Sequence, residues 1–268
     1  MILYPSMHES RSTQLNRLGN EHFSRGFYTD AYHCYAQALE TDRKSGDQRA
    51  LAMTLGNLGN ICAVSGRRMQ AQTYYHEVLE IQKILGDERG ISTTLANLGN
   101  LSADAGDWER ARAFYLEALD LMNDTGDYAG KAILLSDLGL VARETGQYDL
   151  AFQYYQESLF LMRRVGNQAG QADVYRMMAR LYLAQRRYDE AIACAQTSLA
   201  MAERLQDELR MGGAWYVLAS SHEGKGYWQE AIQYLERVVR VDQKYDLPKL
   251  LENTERLKHL RERHSREE

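Results

Sequence analysis

Proline and cysteine are the scarce residues of this 268-residue chain, with 2 and 3 copies respectively. So little proline leaves long stretches without a helix breaker. Together with 44% hydrophobic and 26% charged residues it speaks against a disordered chain. Cys34, Cys62 and Cys194 are odd in number and far apart, so buried free thiols in a reducing compartment are expected and a disulfide framework is not. No apolar run approaches the ~20 residues that cross a bilayer. The start, MILYPSMHESRSTQ, lacks the basic segment, apolar stretch and small-residue site of a signal peptide. A cytoplasmic location is therefore expected. Positive charge is not in excess either: 32 Lys and Arg face 37 Asp and Glu, for a net charge of -5. That balance offers no general field for nucleic acid or an anionic membrane. The paired arginines Arg67-Arg68, Arg163-Arg164 and Arg186-Arg187 form no continuous stripe, and no nucleic-acid partner is expected.

Catalytic signatures are missing as well. The 7 histidines are dispersed. His76-Glu77 is followed by Glu80, and His222-Glu223 has no second histidine, so neither completes a His-Glu-x-x-His zinc site. No glycine loop leads into Gly-Lys-Ser/Thr. Cys62 falls on the packing side of its helix, away from a nucleophile's usual exposure. The expectation is a protein without cofactor, metal or enzymatic activity.

What is present is repetition. Leu18-Gly19-Asn20 returns as Leu58-Gly59-Asn60 and Leu98-Gly99-Asn100, then as Leu138-Gly139, Met178-Ala179 and Leu218-Ala219, always forty residues on. Gly26, Gly66, Gly106, Gly146 and Gly226 mark a second position, with Arg186 the exception. Ala31, Ala71, Ala111, Ala151, Ala191 and Ala231 mark a third without exception. Apolar residues inside each period recur at helical spacing, never with the alternation of a strand. Each unit therefore reads as two helices, with Gly46-Asp47, Gly86-Asp87 and Gly126-Asp127 stopping one helix and capping the next. Mid-helix Gly19, Gly59, Gly99 and Gly139 imply close approach of a partner helix, and Tyr75, Tyr115 and Tyr155 are among the large residues expected around them. The predicted fold is an all-α, α-α superhelical solenoid: a loose terminus over 1–11, six helical hairpins over 12–247 and a capping helix with a frayed tail over 248–268. No linker interrupts it. In repeat five, Leu205-Gln206 replaces the usual Gly-Asp and predicts a turn of different angle.

Leu95, Leu98-Gly99, Ser102, Ala111, Tyr115 and Ala118, like Leu55, Leu58-Gly59, Cys62, Ala71, Tyr75 and Val78, fit one pattern. It resembles the tetratricopeptide repeat family, whose common unit is about 34 residues. The longer unit with its Leu-Gly-Asn and Gly-Asp signatures is similar to Pins-like adaptors, bacterial regulators and kinesin light chains. The resemblance runs from about Leu15 to Asp242 and implies a protein or peptide partner held by the first helices of the hairpins.

On those helices Asn57, Asn60, Asn97 and Asn100 turn away from the packing face. An amide both donates and accepts, so four of them could grip the backbone of an extended peptide. Asp104, Asp137, Glu144 and Asp173 follow, with Arg180 beyond, which favours a partner with a basic central segment. The expected function is thus a scaffold or adaptor. Self-association through the convex face or the ends, and a regulatory sensor of the bacterial kind, are the alternatives. Tyr74-Tyr75 and Tyr154-Tyr155 are read as core.

Overall fold

A computed structural model describes residues 10–122 and 126–267. Among them every regular element is a helix. The chain divides after Gly126 into two compact units. The first holds three hairpins: α1 (Arg11–Ser24) with α2 (Tyr28–Ser45), α3 (Gln48–Val64) with α4 (Arg68–Leu85), and α5 (Glu88–Ala103) with α6 (Trp108–Asp120). The second holds three more: α7 (Tyr128–Glu144) with α8 (Tyr148–Arg164), α9 (Gln168–Ala184) with α10 (Tyr188–Arg204), and α11 (Glu208–Gly224) with α12 (Trp228–Tyr245). A capping helix, α13 (Leu250–Glu267), closes it by laying Leu257 and Leu260 on the α12 side of the last core. The architecture is the α-α solenoid repeat that the period predicts.

The boundaries follow from local chemistry. Asp87 Oδ1 accepts the Gly90 amide at 3.0 Å, Asp127 Oδ1 the Gly130 amide at 2.9 Å and Asn167 Oδ1 the Gly170 amide at 2.8 Å. At the other end of each hairpin, residues such as Gly86, at φ 65°, take the left-handed conformation that releases the chain from a helix. Three expectations need correction. Gln206 adopts φ 54° and makes the same turn as Gly166: its amide reaches Glu203 O at 3.0 Å and Asp207 N reaches Ala202 O at 3.0 Å. The turn therefore keeps its form, at a cost of roughly 1–2 kcal/mol for a side chain in the left-handed region. At the amino end Arg11 already belongs to α1, because Ser10 Oγ accepts the Thr13 amide at 3.1 Å. Residues 1–9, including Pro5, lie outside the described residues. At the carboxyl end α13 runs through His264 to Glu267, past the point where fraying was expected. The division after Gly126 is also not visible in composition; α6, with 13 residues, is shorter than α2 or α4, with 18 each.

The core of each of the first four hairpins is set by one contact. Tyr35, Tyr75, Tyr115 and Tyr155 are all buried, and each ring lies against the glycine of the preceding helix. A Cβ on Gly99 would sit 2.5 Å from Tyr115 Cε1, and one on Gly59 2.5 Å from Tyr75 Cε1. Repeats five and six carry Ala179 with Ala195 and Ala219 with Leu235; where the ring is absent, the methyl is accommodated. The six repeat alanines are fully buried beside this contact.

Gly99→Ala is expected to destabilise the protein by about 1–3 kcal/mol through overpacking. Adding Tyr115→Leu, the pairing of repeat six, should make the double variant more stable than the sum of the single changes by about 1 kcal/mol or more. Denaturant unfolding of the four proteins measures the coupling.

Candidate functional site

The tyrosine rings also settle what the asparagines do. Tyr35 Oη donates to Asn20 Oδ1 at 2.7 Å, Tyr75 Oη to Asn60 Oδ1 at 2.8 Å and Tyr115 Oη to Asn100 Oδ1 at 2.7 Å. Each asparagine thus has its carbonyl oxygen fixed inward. The amide nitrogens of Asn60 and Asn100, on exposed residues, make no protein hydrogen bond among the described residues. Asn57 is oriented the other way: its Nδ2 donates to Asn16 Oδ1 at 3.0 Å, inside a chain that continues from Asn16 Nδ2 to Thr54 Oγ1 at 2.7 Å and from Thr54 Oγ1 to Asp42 Oδ2 at 2.6 Å. Asn57 Oδ1 is left as an acceptor. Asn57, Asn60 and Asn97 line one open pocket of about 650 Å³ in the first unit, with Met53, Gln82 and Thr94. Asn100 and Asp104 lie outside that lining. Asp104 ends α5, and its backbone carbonyl accepts from Arg68 Nη2 at 3.1 Å.

In the second unit two of the three expected acidic residues, Glu144 and Asp173, have partners that sequence reasoning missed. Glu144 Oε1 accepts from Arg143 Nε at 3.1 Å, and Arg143 is buried although its neighbours in other repeats are Ala103 and Leu183. Asp173 is held on both sides: Oδ2 accepts from Arg210 Nη2 at 2.9 Å and Nε at 3.1 Å, and Oδ1 from Arg176 Nη2 at 3.4 Å. Asp137 has no such partner. Burial pushes its carboxyl up to about 7, against an ordinary value of 3.8. Arg180 carries no ion pair among the described residues, and burial together with Arg143 and Arg176 lowers its pKa. Arg143, Arg180, Glu144 and Asp137 all act on the buried Tyr155 hydroxyl. Among the described residues that hydroxyl has no hydrogen-bond partner, because position 140 is leucine where Asn60 and Asn100 stand in earlier repeats.

Tetratricopeptide repeat profiles match residues 10–83, 50–124 and 130–204, and a further one matches 176–245. The chain belongs to the tetratricopeptide repeat family. Among solved structures it is similar to BtubC from P. vanneervenii, at 18% identity and a TM-score of 0.64, over 89% of this chain and 93% of that one. RapI without ligand gives 12% identity and 0.75, over 90% and 87%. A Rap protein complexed with Competence and Sporulation Factor gives 14% and 0.70, over 96% and 77%. Such identities bear on fold alone. No curated protein sequence matches the chain. The tetratricopeptide repeats of this chain are a protein-interaction scaffold in fold and family. Among the described residues no helix is long and apolar enough to cross a membrane, and no group of three or more His, Cys, Asp or Glu is placed to hold a metal ion. Tyr75 and Tyr155 lie in the core, with Tyr74 and Tyr154 half-buried against it. Val217, which continues the first asparagine column, is buried where the sixth hairpin packs on Ala179 and Ala195 of the fifth.

Two outcomes follow from these positions. Tyr75→Phe should cost about 0.5–1.5 kcal/mol for its lost hydrogen bond. Tyr155→Phe should instead stabilise, by about 1–3 kcal/mol, because it removes a buried hydroxyl without a partner, and Leu140→Asn should stabilise by giving the hydroxyl an acceptor; thermal unfolding of the three variants compares them. Asp137 supplies a pH test. Its folded pKa lies above the unfolded one, so its contribution is fully present below about pH 4 and is lost as pH rises through about 7. The stability of Asp137→Asn relative to the parent should therefore rise between pH 5 and pH 8, which melting curves across that range will show.

Proposed function

We propose that the first unit captures an extended peptide segment of a partner protein through its asparagine-lined pocket. The observation that carries this reading is the split orientation of the amides. Asn60 has its oxygen held by Tyr75 and offers donors, whereas Asn57 has its nitrogen held by Asn16 and offers an acceptor; Asn100, held in the same way by Tyr115, continues the donors beyond the pocket. Asn97 makes no side-chain hydrogen bond among the described residues and offers both. An extended backbone presents carbonyls and amides in turn, and prefixed groups of both kinds bind it without ordering cost and with little demand on its side chains. Met53, nearly half exposed beside them, supplies an apolar contact.

A basic residue in the partner would meet Asp104, the exposed acidic residue expected on the first unit. Complexation of the similar Rap protein with Competence and Sporulation Factor supports a peptide or protein signal as the occupant. Self-association is favoured by a different observation: Met69 and Ile84 on α4 are 74% and 81% exposed. Sedimentation of the chain separates the two readings.

The test uses an array of unbiased twelve-residue peptides. Asn97→Ala combined with Asn60→Asp keeps an acceptor for Tyr75 while deleting the outward donors within the pocket lining. Peptides bound by the parent should be released, with affinity falling about tenfold or more for the lost hydrogen bonds. Unchanged binding by a folded double variant would refute the pocket as the site.

A further inference from the structure

The asparagine pocket lies on the second and third hairpins, yet one of its groups is set from the first. Asn57 on α3 is held by a relay of three side chains, Asn16 on α1, Thr54 on α3 and Asp42 on α2, each no more than 3% exposed. The direction of every bond follows from the inner end of the relay. The Asp42 carboxylate only accepts, so Thr54 gives its one hydroxyl proton to Asp42 Oδ2, at 2.6 Å. Thr54 Oγ1 is then an acceptor, and Asn16 turns Nδ2 toward it at 2.7 Å. A second acceptor, the Ser12 carbonyl, takes the same Nδ2 at 3.1 Å and opposes a flip of the amide. Asn16 Oδ1 therefore faces Asn57, which meets it with Nδ2 at 3.0 Å. The end of Asn57 left to the pocket is an oxygen.

The next hairpin supplies a control. Thr94 Oγ1 donates to Gln82 Oε1 at 2.9 Å, repeating the Thr54–Asp42 pair forty residues on. Gly56 stands at the position of Asn16, so no amide joins that pair to Asn97, whose side chain makes no hydrogen bond among the described residues. One asparagine of the column is held and the next is not. The difference is the residue at position 16 and its counterpart at 56.

We infer that Asn16 is a positioning residue of the asparagine pocket: it presets Asn57 as an acceptor and so requires a backbone N–H where the bound segment crosses Asn57. The inference rests on the peptide-capture reading proposed above. Buried as it is, Asn16 acts on a bound segment only through Asn57. The consequence is a sequence rule, since proline has no N–H and is excluded at that point.

Two measurements on the full chain test this. The first needs no peptide. The hydrogen-bonded Nδ2 proton of Asn57 should exchange with solvent about tenfold or more slowly than the Nδ2 protons of Asn97, followed by NMR, the factor expected for one hydrogen bond. In Asn16→Leu the two should exchange alike. Equal rates in the parent would overturn the positioning role with no variant involved, and so would protection of Asn57 that survives in a folded Asn16→Leu. The second takes the tightest twelve-residue binder from the peptide array and replaces each backbone amide in turn by an ester, which puts oxygen in place of N–H. At one linkage the ester should bind the parent about tenfold or more weakly, because the fixed Asn57 oxygen then faces an oxygen. Asn16→Leu should bind the amide peptide more weakly, since Asn57 must be ordered on binding. It should discriminate against that ester by less than about threefold, because the released side chain turns its Nδ2 toward the ester. A loosened fold would weaken both peptides equally, so a ratio unchanged from the parent overturns the inference. If no peptide in the array binds, the capture reading fails and takes the N–H requirement with it, while the exchange rates still decide whether Asn16 holds Asn57.

Discussion

A tyrosine ring pressed on the bare backbone of a neighbouring helix is the constraint on which the hairpins of this protein depend. The ring needs glycine beneath it, since a Cβ on Gly19, Gly59, Gly99 or Gly139 would stand 2.4–2.5 Å from its Cε1. Glycine inside a helix costs roughly 1 kcal/mol in propensity. Burying most of an aromatic side chain returns more than that, at roughly 25 cal/mol per Å² of apolar surface removed from water. The exchange is favourable only when both residues are present, and the chain changes them together: the helices without a tyrosine, in repeats five and six, have alanine in place of glycine.

The same ring reaches the surface through its hydroxyl. With the ring fixed, Tyr75 and Tyr115 set which end of Asn60 and Asn100 faces inward, so a core contact decides the hydrogen-bonding character of the outer face. An exposed amide free to rotate offers donor and acceptor indifferently. One whose oxygen is held offers donors alone, at a defined position and with its entropy already lost. Packing and recognition are in this way a single arrangement rather than a scaffold with a site added to it.

Much of this was legible in the sequence. The period, the aspartate caps and the need for small residues at Gly99 and Ala111 all follow from local spacing, and local spacing is what a helix preserves. The Tyr75–Asn60 bond was not legible, because it joins residues fifteen apart on two helices whose crossing must be known first. Arg143 was missed for a related reason. A charged side chain next to Glu144 reads as solvent-exposed, and only the packing of α7 shows it buried. The Asp173–Arg210 pair was not legible either, because it joins residues on α9 and α11 whose crossing must be known first. At Gln206 the residue preference pointed to a different turn, and the hydrogen bonds of the flanking helices prevailed over it.

Repeat four is the intermediate between the two kinds of hairpin, and its asymmetry is informative. It keeps Gly139 and Tyr155, so the ring still packs, but Leu140 removes the acceptor and strands the hydroxyl. An unmet buried hydroxyl costs about 1–3 kcal/mol, which nothing in the packing of α7 and α8 requires. In repeat five the whole set has changed: Ala179, Arg180 and Ala195 stand where glycine, asparagine and tyrosine stood. Once no ring needs an acceptor, the position that held it is free to carry a guanidinium. The distribution of polar chemistry along the array therefore tracks the loss of the tyrosine. The first three hairpins, which pair the ring with asparagine, present amides held in one orientation, and the fifth, which has lost both, presents a guanidinium.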